Sequence, residues 1–450
     1  MSSDQNSSVQ ADSIQPTAEH GRVFSGVSYV LMWWSSLIVM QAFVLGQALL
    51  PPIGKLNLLQ ALLIMTLAAL VFVVMLSLNG QAGLKYGIPF SIHTRLAFGL
   101  RGSKIVEFLR ALPAIIWYGI GTWIAALAVD GIATTLAGFT APFAKYAYFV
   151  ALQIAQTALA YRGIRTMKWF NVIGSVVITG AMLYMLVHIL GKYGFQMKES
   201  WKSKGDWGAP FWIGLTSAIG VLATVTLNIS DMTRHLEKSQ RAIWLGHLFG
   251  VVPPWFFMLF LGMAAGAALG IWDPVQALIQ LSPNPVALVI LLVFILVAQF
   301  TTNLTINILP PALIFMDTFK IGWGRGVVIT GVLGTISFPW LLMANANAFF
   351  GFILYYSALF GPILGVMLAD YYFVRRRQLS VDRLYVADST SDYWYRGGFN
   401  VAGLVSILIP GVVTMIWALP VSWLVGVPAG FILYLLLWRA PTARPVASAR

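Results

Sequence analysis

The side chains best suited to chemistry in this sequence lie together near residue 300. Six of the nine positions from Gln299 to Asn307 are polar, inside an apolar run that begins near Val286 and ends at Pro310. A helix of 3.6 residues per turn places them in two neighbouring rows, which are Ala298, Thr301, Thr302 and Thr305, and Gln299, Asn303 and Asn307. A buried amide or hydroxyl without a partner is costly in hydrocarbon. These groups either bond neighbouring helices or line a binding site, and their convergence on one side favours the site.

Composition indicates the class of protein that must position this cluster. Of the 450 residues, 59% are hydrophobic and only 10% are charged, with 17 Trp and a mean hydropathy of +0.80. These values are typical of a polytopic membrane protein. The absence of Cys excludes disulfides, thiolate metal sites and a Cys nucleophile. Residues 1–24 are polar at their start and are predicted to form a disordered cytosolic tail, not a signal peptide.

Apolar segments of about 20 residues, the length that crosses a bilayer, recur along the whole chain. Twelve are predicted to span the membrane, at 26–49, 57–79, 106–130, 143–161, 168–190, 209–229, 244–270, 285–308, 325–344, 347–370, 399–419 and 421–438. An even number of crossings puts both termini on one side.

Basic residues determine the orientation of these spans. If the termini are cytoplasmic, the inner segments hold 22 of the 28 Lys and Arg residues. This bias predicts a multi-pass membrane protein with both termini in the cytoplasm. The basic residues lie in short runs between apolar segments, so the net charge of +13 does not indicate nucleic-acid binding.

Neutral polar groups take the place of charges in the middle of the spans. Gln41 lies in the first span, Asn228 near the end of the sixth, and the Gln/Thr/Asn cluster in the eighth. Pumps and proton relays usually keep an ionisable residue at membrane depth. The pattern here favours a neutral polar ligand held by amides, or a small cation held by hydroxyls and backbone carbonyls.

Backbone carbonyls become available where a helix is broken. Ser35, Ser36 and Gly46 weaken the first span, and Gly214, Ser217 and Gly220 weaken the sixth. Weak points in corresponding spans of two halves indicate inverted repeats with the ligand between them. Glycine also serves close helix packing, which is the alternative interpretation.

Three stretches carry a resemblance to a known family. They are residues 79–90, with the sequence NGQAGLKYGIPF, followed by RLAFG at 95–99; LRAL at 109–112 with WYGIGTW at 117–123; and FGPILGVMLADYY at 360–372 with RRR at 375–377 and YWYRGGFN at 393–400. Together they resemble the nucleobase:cation symporter-1 family, which includes bacterial uracil, allantoin, cytosine and hydantoin permeases. The similarity covers roughly residues 25–440.

The resemblance implies an all-α membrane fold of the LeuT type, with two inverted repeats of five helices and two additional helices. The boundaries that follow are a tail at 1–24, a first repeat at 25–190, an external loop at 191–208, a second repeat at 209–375, a cytosolic loop at 376–398, two further spans at 399–438 and a tail at 439–450.

The resemblance also implies where the substrate lies, between broken first and sixth helices and against the third and eighth. Gln41, Trp117 and Asn307 match the family pattern, and Asn303 lies one turn before Asn307. Two positions depart from the hydantoin and allantoin branch, since Gly121 replaces a Gln and Leu222, after Gly220, replaces an aromatic residue. One hydrogen-bonding arm and one aromatic wall are therefore expected to be missing, and Trp33, Trp34 or Tyr118 are the candidates to replace the wall.

Sodium-dependent members of the family hold the ion with carbonyls of the first helix and with a carbonyl and two hydroxyls of the eighth. By position these ligands correspond to Leu37, Met40, Ala298, Thr301 and Thr302. The two hydroxyls otherwise bond back to their own helix. Apart from this coupling ion, no cofactor is expected.

The resulting hypothesis is a monomeric symporter that imports a nucleobase or related planar heterocycle, such as uracil, cytosine, allantoin or hydantoin. Sodium is favoured over the proton as coupling ion because no buried carboxylate is evident in the sequence. The alternatives are a proton-coupled permease for a vitamin-precursor pyrimidine or a purine, and a sensor or channel. An enzyme is not expected, because the five His residues are scattered and no nucleophile or metal motif occurs.

Overall fold

The protein is almost entirely helical. The computed structural model describes residues 14–162, 180, 183–194, 199–282 and 284–438. Within these ranges the only strand-like pairings are two isolated bridges, Phe24 with Leu236 and Arg396 with Phe399. The predicted all-α membrane fold is confirmed.

The first half of the described chain contains seven helices that are used in the description below. They are α1 (Gly26–Leu37), α2 (Met40–Gln47), α3 (Leu58–Asn79), α4 (Gln81–Tyr86), α5 (Phe90–Phe98), α6 (Gly102–Ala137) and α7 (Ala144–Tyr161). Residues 183–194 are also helical.

The second half of the described chain ends with two apolar helices. Its helices are α8 (Ala209–Val221), α9 (Ala223–Leu227), α10 (Ser230–Thr233), α11 (Gln240–Leu269), α12 (Pro274–Leu281), α13 (Pro285–Thr302), α14 (Leu309–Phe319), α15 (Trp323–Thr335), α16 (Pro339–Leu342), α17 (Ala346–Ala369), α18 (Val381–Leu384), α19 (Val401–Trp417) and α20 (Ser422–Leu437). Two π-helical turns, Asn303–Ile308 and Asp370–Val374, continue α13 and α17.

Helix length and composition agree with a multi-pass membrane protein. Among the described residues six helices, or seven with the bent pair of α1 and α2, are long and apolar enough to cross a bilayer. α8 and α19 are apolar but shorter. The predicted fifth span, 168–190, falls mostly outside the described residues, and a described helix coincides with each of the other eleven. The count of twelve therefore stays a prediction, as do the repeat boundaries.

The first and sixth spans are both broken, at positions that differ from those predicted. α1 and α2 meet at 57°, because Ile38 and Val39 leave the helical conformation. Leu222 interrupts the sixth span between α8 and α9. The hydroxyls of Ser35 and Ser36 both donate to the carbonyl of Met32, at 2.7 and 2.9 Å, and thus compete with the helical bonds near the first break.

The glycines named as weak points serve packing instead. A Cβ at Gly46 would lie 3.0 Å from the backbone nitrogen of Met263 in α11, and one at Gly214 would lie 3.0 Å from the side chain of Ile64 in α3. Small residues of this kind let helices approach closely in membranes. The breaks therefore lie not at these two glycines but at Ile38, Val39 and Leu222, which leave the helical conformation.

α6 and α13 pack against each other in the interior of the bundle, and α11 packs against both halves of the broken first span. α17 contacts α19 and α20, which brings the last two helices against the second half of the chain. On the side assigned to the cytoplasm, the Arg375 guanidinium lies 3.5 Å from the Asp370 carboxylate at the end of α17. Arg375, the first residue of the arginine triplet, is thus paired with the carboxylate at the end of this helix.

Candidate binding site at the two helix breaks

A cavity lies where the breaks of the first and sixth spans face the third and eighth. The cavity is small in this structure, with a volume of about 40 Å³, and it is partly open to solvent. Its lining is mostly apolar with a few polar groups, and comprises Ser36, Leu37, Val39, Gln41, Trp117, Val221, Leu222, Thr224, Val225, Thr302, Ile306 and Asn307. This composition is typical of a small-molecule site.

The π-helical turn explains how Thr302 and Asn307 line the same cavity. In an α-helix, residues five apart point about 140° from each other. In a π-helix the hydrogen bonds run from residue i to i+5, so residues five apart lie one above the other. Pro310 and Pro311 follow the turn and have no N–H to donate to the carbonyls before them. The two predicted rows of the eighth helix are therefore rearranged at Asn303–Ile308.

Asn307 is held by Asn303, which does not itself line the cavity. Asn307 Nδ2 donates to Asn303 Oδ1 at 2.9 Å. Asn303 Nδ2 lies 3.2 Å from the Tyr118 carbonyl, 3.2 Å from Thr122 Oγ1 and 3.0 Å from Gln156 Oε1. Asn303, a predicted substrate ligand, thus directs its amide toward α6 and α7 instead.

The sequence analysis missed the α7 side of this network. Gln153 Oε1 accepts from the Thr122 hydroxyl at 3.2 Å, and Gln156 Nε2 donates to that hydroxyl at 3.0 Å. Both glutamines are buried. The signal was present as two amides three residues apart on one face of the fourth span, since such groups need partners in hydrocarbon.

Gln41 is positioned by an amide of the eighth span. Gln41 Nε2 donates to Gln299 Oε1 at 3.1 Å, and both side chains are buried. The second polar atom of each carboxamide, Gln41 Oε1 and Gln299 Nε2, is buried without a hydrogen-bond partner among the described residues. Gln41 therefore presents an unused acceptor at the cavity.

Trp117 forms an aromatic wall and is supported from α17. Its ring packs edge to face against Phe349 and Phe352, with centroids 5.9 and 5.3 Å away. Its indole Nε1 is buried without a partner in the described part of the chain. Such edge-on neighbours fix the plane of the ring while leaving a face for stacking.

None of the candidates for a second wall lines the cavity. Trp33 packs against Tyr29 and His247, and the Trp34 indole donates to the Phe249 carbonyl at 2.9 Å. The Tyr118 hydroxyl lies 3.1 Å from the Gln153 carbonyl, on the side of α7. The sixth span contributes Val221, Leu222, Thr224 and Val225 to the lining, and none of them is aromatic.

Gly121 and Gly220, the two predicted site glycines, differ in what surrounds them. A Cβ at Gly121 would lie 2.6 Å from Asn303 Oδ1 and 2.9 Å from Gln299 Oε1, so neighbouring amides occupy the space beside it. Gly220 packs against Ile353 and Ser357 of α17. Its carbonyl accepts a hydrogen bond from the Tyr356 hydroxyl at 2.7 Å. This bond holds the last turn of α8, just before the break at Leu222, against α17.

The predicted ion ligands lie around the first break and the eighth span. Leu37 and Thr302 line the cavity, while Met40 opens α2 and is buried. The Thr301 hydroxyl donates to the Ala298 carbonyl at 2.9 Å, as the alternative of bonding within the helix predicted. The Thr302 hydroxyl makes no hydrogen bond to the described residues, and the last carbonyls of α1 lose their helical donors at Ile38.

Charged residues cluster near the start of α6 and the end of α14, and they do not line the cavity. The Asp317 carboxylate is paired with Lys104, with Arg95 at 3.5 Å and with Lys320 at 3.1 Å. Glu107 is fully buried and lies 3.0 Å from Lys104. The expectation of no buried carboxylate was wrong, because residues near span ends look like loop positions in sequence.

Asn228 bonds to charged side chains and does not line the cavity. Its Oδ1 accepts from Arg110 at 3.0 Å, and its Nδ2 donates to Asp231 at 3.1 Å. The amide thus connects the start of α6 with the end of the sixth span. Asn228 was predicted as a polar group for the ligand, but this geometry favours a structural role between α6 and the sixth span.

Membrane-spanning helices, paired breaks and, between them, a mostly apolar cavity with a few polar groups define a multi-pass membrane transport protein of the LeuT fold class. The structure is similar to that of Mhp1, a nucleobase-cation-symport-1 family transporter, in a closed conformation with bromovinylhydantoin bound. The TM-score is 0.83 at 26% identity over 94% of each chain. A Na⁺-coupled sialic acid symporter shares the fold, with a TM-score of 0.65 at 12% identity over 94% of this chain and 93% of that one.

The chain belongs to the nucleobase:cation symporter-1 family, the permeases for cytosine/purines, uracil, thiamine and allantoin, whose family model matches residues 16–437. It is 29% identical to an allantoin permease of Bacillus subtilis (strain 168), over 97% of this chain and 95% of the relative. A hydantoin permease of Microbacterium maritypicum is 28% identical, over 92% and 87%. A purine-uracil permease of Arabidopsis thaliana is 29% identical, over 91% and 71%.

Proposed function

We propose that the protein imports a small planar nitrogen heterocycle, a nucleobase, hydantoin or allantoin, by secondary active transport. The observation that carries this proposal is the grouping of Trp117, Gln41 and Asn307 around one cavity at two helix breaks. An indole face stacks on a flat heterocycle, and carboxamides both donate to and accept from its amide edges. The relatives, which are permeases and not enzymes, support this substrate class.

Sodium is the coupling ion in this proposal. Hard cations take oxygen ligands, and the candidates are the carbonyls of Leu37, Met40 and Ala298 with the hydroxyls of Thr301 and Thr302. Two features support the fit. The first break frees carbonyls at the end of α1, and the Thr302 hydroxyl makes no hydrogen bond to the described residues while its residue lines the cavity. No other cofactor is part of the proposal.

Proton coupling is the competing proposal, and Glu107 is the observation that favours it. This carboxylate is fully buried, and Lys104 is the basic residue paired with it. Ionisable groups at such positions commonly carry protons in transporters. Glu107 lies one helical turn from Arg110 and does not line the cavity. Protonation of Glu107 would therefore act on transport through the surrounding charged residues and not through direct contact with the substrate.

Transport follows from alternating access of the two halves around a fixed site. A cation bound between the first and eighth spans favours one orientation by its differential affinity, and the heterocycle then permits closure. Both breaks border the cavity, at Val39 and Leu222. In this proposal the protein is a monomer in the bacterial plasma membrane. The distribution of the basic residues supports cytoplasmic termini.

The test is uptake into liposomes that contain the purified protein. Radiolabelled uracil, hydantoin and allantoin are each supplied with an inward sodium gradient, an inward proton gradient, or neither. Accumulation above equilibrium that requires sodium is the expected result. Accumulation driven by protons overturns the ion assignment, equilibration without accumulation indicates a channel, and binding without uptake indicates a sensor.

A further inference from the structure

The space beside Gly121 is filled from another helix. Gln299 lies in α13, fully buried, and its Oε1 atom lies 2.9 Å from the position that a Gly121 Cβ would take. Any side chain at residue 121 would displace this carboxamide. The glycine of the third span and the glutamine of the eighth are therefore complementary in volume.

The amides of Gln299 and Gln41 form a pair with one free donor and one free acceptor. Gln41 Nε2 and Gln299 Oε1 are used in their mutual hydrogen bond. Gln299 Nε2 and Gln41 Oε1 are buried and have no partner among the described residues. Buried polar groups without partners are rare in folded proteins, and each calls for a specific explanation.

A ligand in the cavity supplies that explanation. Gln41 lines the cavity directly, and the bond between the two amides places Gln299 immediately behind it. A donor and an acceptor on linked amides match a cyclic amide edge, in which a C=O and an N–H are adjacent. A ligand N–H in the cavity would donate to Gln41 Oε1. Because Gln299 does not itself line the cavity, a ligand carbonyl would accept from Gln299 Nε2 by reaching past the Gln41 side chain.

We propose that Gln299 is a specificity-determining residue that, with Gln41, recognises the adjacent C=O and N–H of a lactam or imide edge. This inference rests on the proposed function, since it assigns the recognition of the same substrate. It supplies the hydrogen-bonding arm that Gly121 lacks. Heterocycles with the lactam edge are selected over analogues in which the carbonyl or the N–H is changed.

The experiment pairs substitutions at Gln299 with changes in the ligand. Binding of uracil, hydantoin and their thiocarbonyl and N-methyl analogues is measured by isothermal titration calorimetry on the full-length protein in detergent. The variants are Gln299→Leu, which removes the amide, and Gln299→Glu, which keeps the shape but loses the donor. Gln47→Leu is the matched control, because Gln47 is a buried amide that donates to the Ile271 carbonyl and does not line the cavity.

The wild-type protein should bind the oxo compound about fivefold to tenfold more tightly than the thio compound, as a neutral hydrogen bond implies. Both Gln299 variants should bind the oxo compound more weakly and lose this preference, while Gln47→Leu keeps it. A Gln299→Leu protein that retains the wild-type preference overturns the inference. Absence of binding by the wild-type protein counts instead against the proposed function. Melting curves without ligand identify any variant that fails to fold. If Gln299→Leu does not fold, the binding preference of Gln299→Glu is the test of the inference.

Discussion

The Asn307 amide donates to Asn303 Oδ1 at 2.9 Å, one helical turn earlier. Because Asn303 is itself bonded to α6 and α7, a chain of amides runs from the cavity into the interior of the third and fourth spans. The remaining polar atom of Asn307, its Oδ1, makes no hydrogen bond to the described residues. The chain thus fixes the Asn307 carboxamide with its oxygen available to a ligand N–H.

Loss of Asn303 should weaken substrate binding although Asn303 does not line the cavity. Asn303→Ala frees the Asn307 amide to rotate, and we expect about a tenfold rise in the substrate Kd, close to the value of one hydrogen bond to a buried group. Asn307→Ala should abolish binding. Calorimetric titration checks both, and an unchanged Kd for Asn303→Ala would show that Asn307 needs no such support.

Two replacements of Trp117 should show whether substrate binding needs an aromatic face or the full size of the indole ring. Trp117→Ala should abolish measurable binding, because the aromatic wall is removed and a void is left between Phe349 and Phe352. Trp117→Phe retains an aromatic face and should bind with a Kd raised by about tenfold or less. Equal binding by the alanine variant and the wild type would refute the assignment of this residue to the site.

Thr302→Ala should raise the sodium concentration that gives half-maximal uptake by at least about threefold, since one hydroxyl ligand is lost. Thr305→Ala is the matched control, because the Thr305 hydroxyl donates to the Thr301 carbonyl at 2.8 Å and the residue does not line the cavity. Uptake at varied sodium, with potassium keeping ionic strength constant, is the measurement. An unchanged sodium dependence in Thr302→Ala is incompatible with the proposed ion site.

Addition of one methyl group at Gly121 should disturb the amides around it. We expect Gly121→Ala to cost about 1–3 kcal/mol of stability by overpacking, with a larger fractional loss of substrate affinity because Asn303 and Gln299 both shift. Gly351→Ala is the control, since nothing lies within 4 Å of a Cβ there. Thermal melting and titration of both variants decide, and wild-type affinity in Gly121→Ala would contradict the close packing.

Removal of Asp317 should destabilise the end of α14. Asp317→Ala leaves Arg95 and Lys104 partly buried without their shared carboxylate, and loss of one partner of a buried ion pair costs about 3–5 kcal/mol. Glu199→Ala, which removes an exposed pair with Lys202, should change stability by about 1 kcal/mol or less. Melting temperatures in detergent measure both, and equal shifts would contradict the structural role of the cluster.

Much of the fold follows from the sequence because hydrophobic length and charge asymmetry are strong signals in membrane proteins. The broken first and sixth spans and the grouping of Gln41, Trp117 and Asn307 were predicted. The break residues were not, because Ile38 and Leu222 look like ordinary span residues and the neighbouring glycines act in packing.

The details of the site depend on contacts that no local pattern encodes. Gln299 and Asn303 lie in the same row as Asn307 by helical periodicity, yet one bonds Gln41 and the other bonds Gln156. The buried state of Glu107 depends on packing around Lys104 and not on its place in the chain. Periodicity of 3.6 residues cannot describe a π-helical turn, so the common direction of Thr302 and Asn307 was not predicted.

The π-helical turn Asn303–Ile308 also sets the phase of everything that follows it in the eighth span. A π turn holds one more residue than an α turn, so deletion of one residue there would rotate Leu309–Phe319 by about 100° relative to α13. Asp317 would then face away from Arg95 and Lys104. Because of this extra residue, Thr302 and Asn307 can face the cavity while Asp317 faces Arg95 and Lys104. A uniform α-helix of the same sequence could not satisfy both orientations.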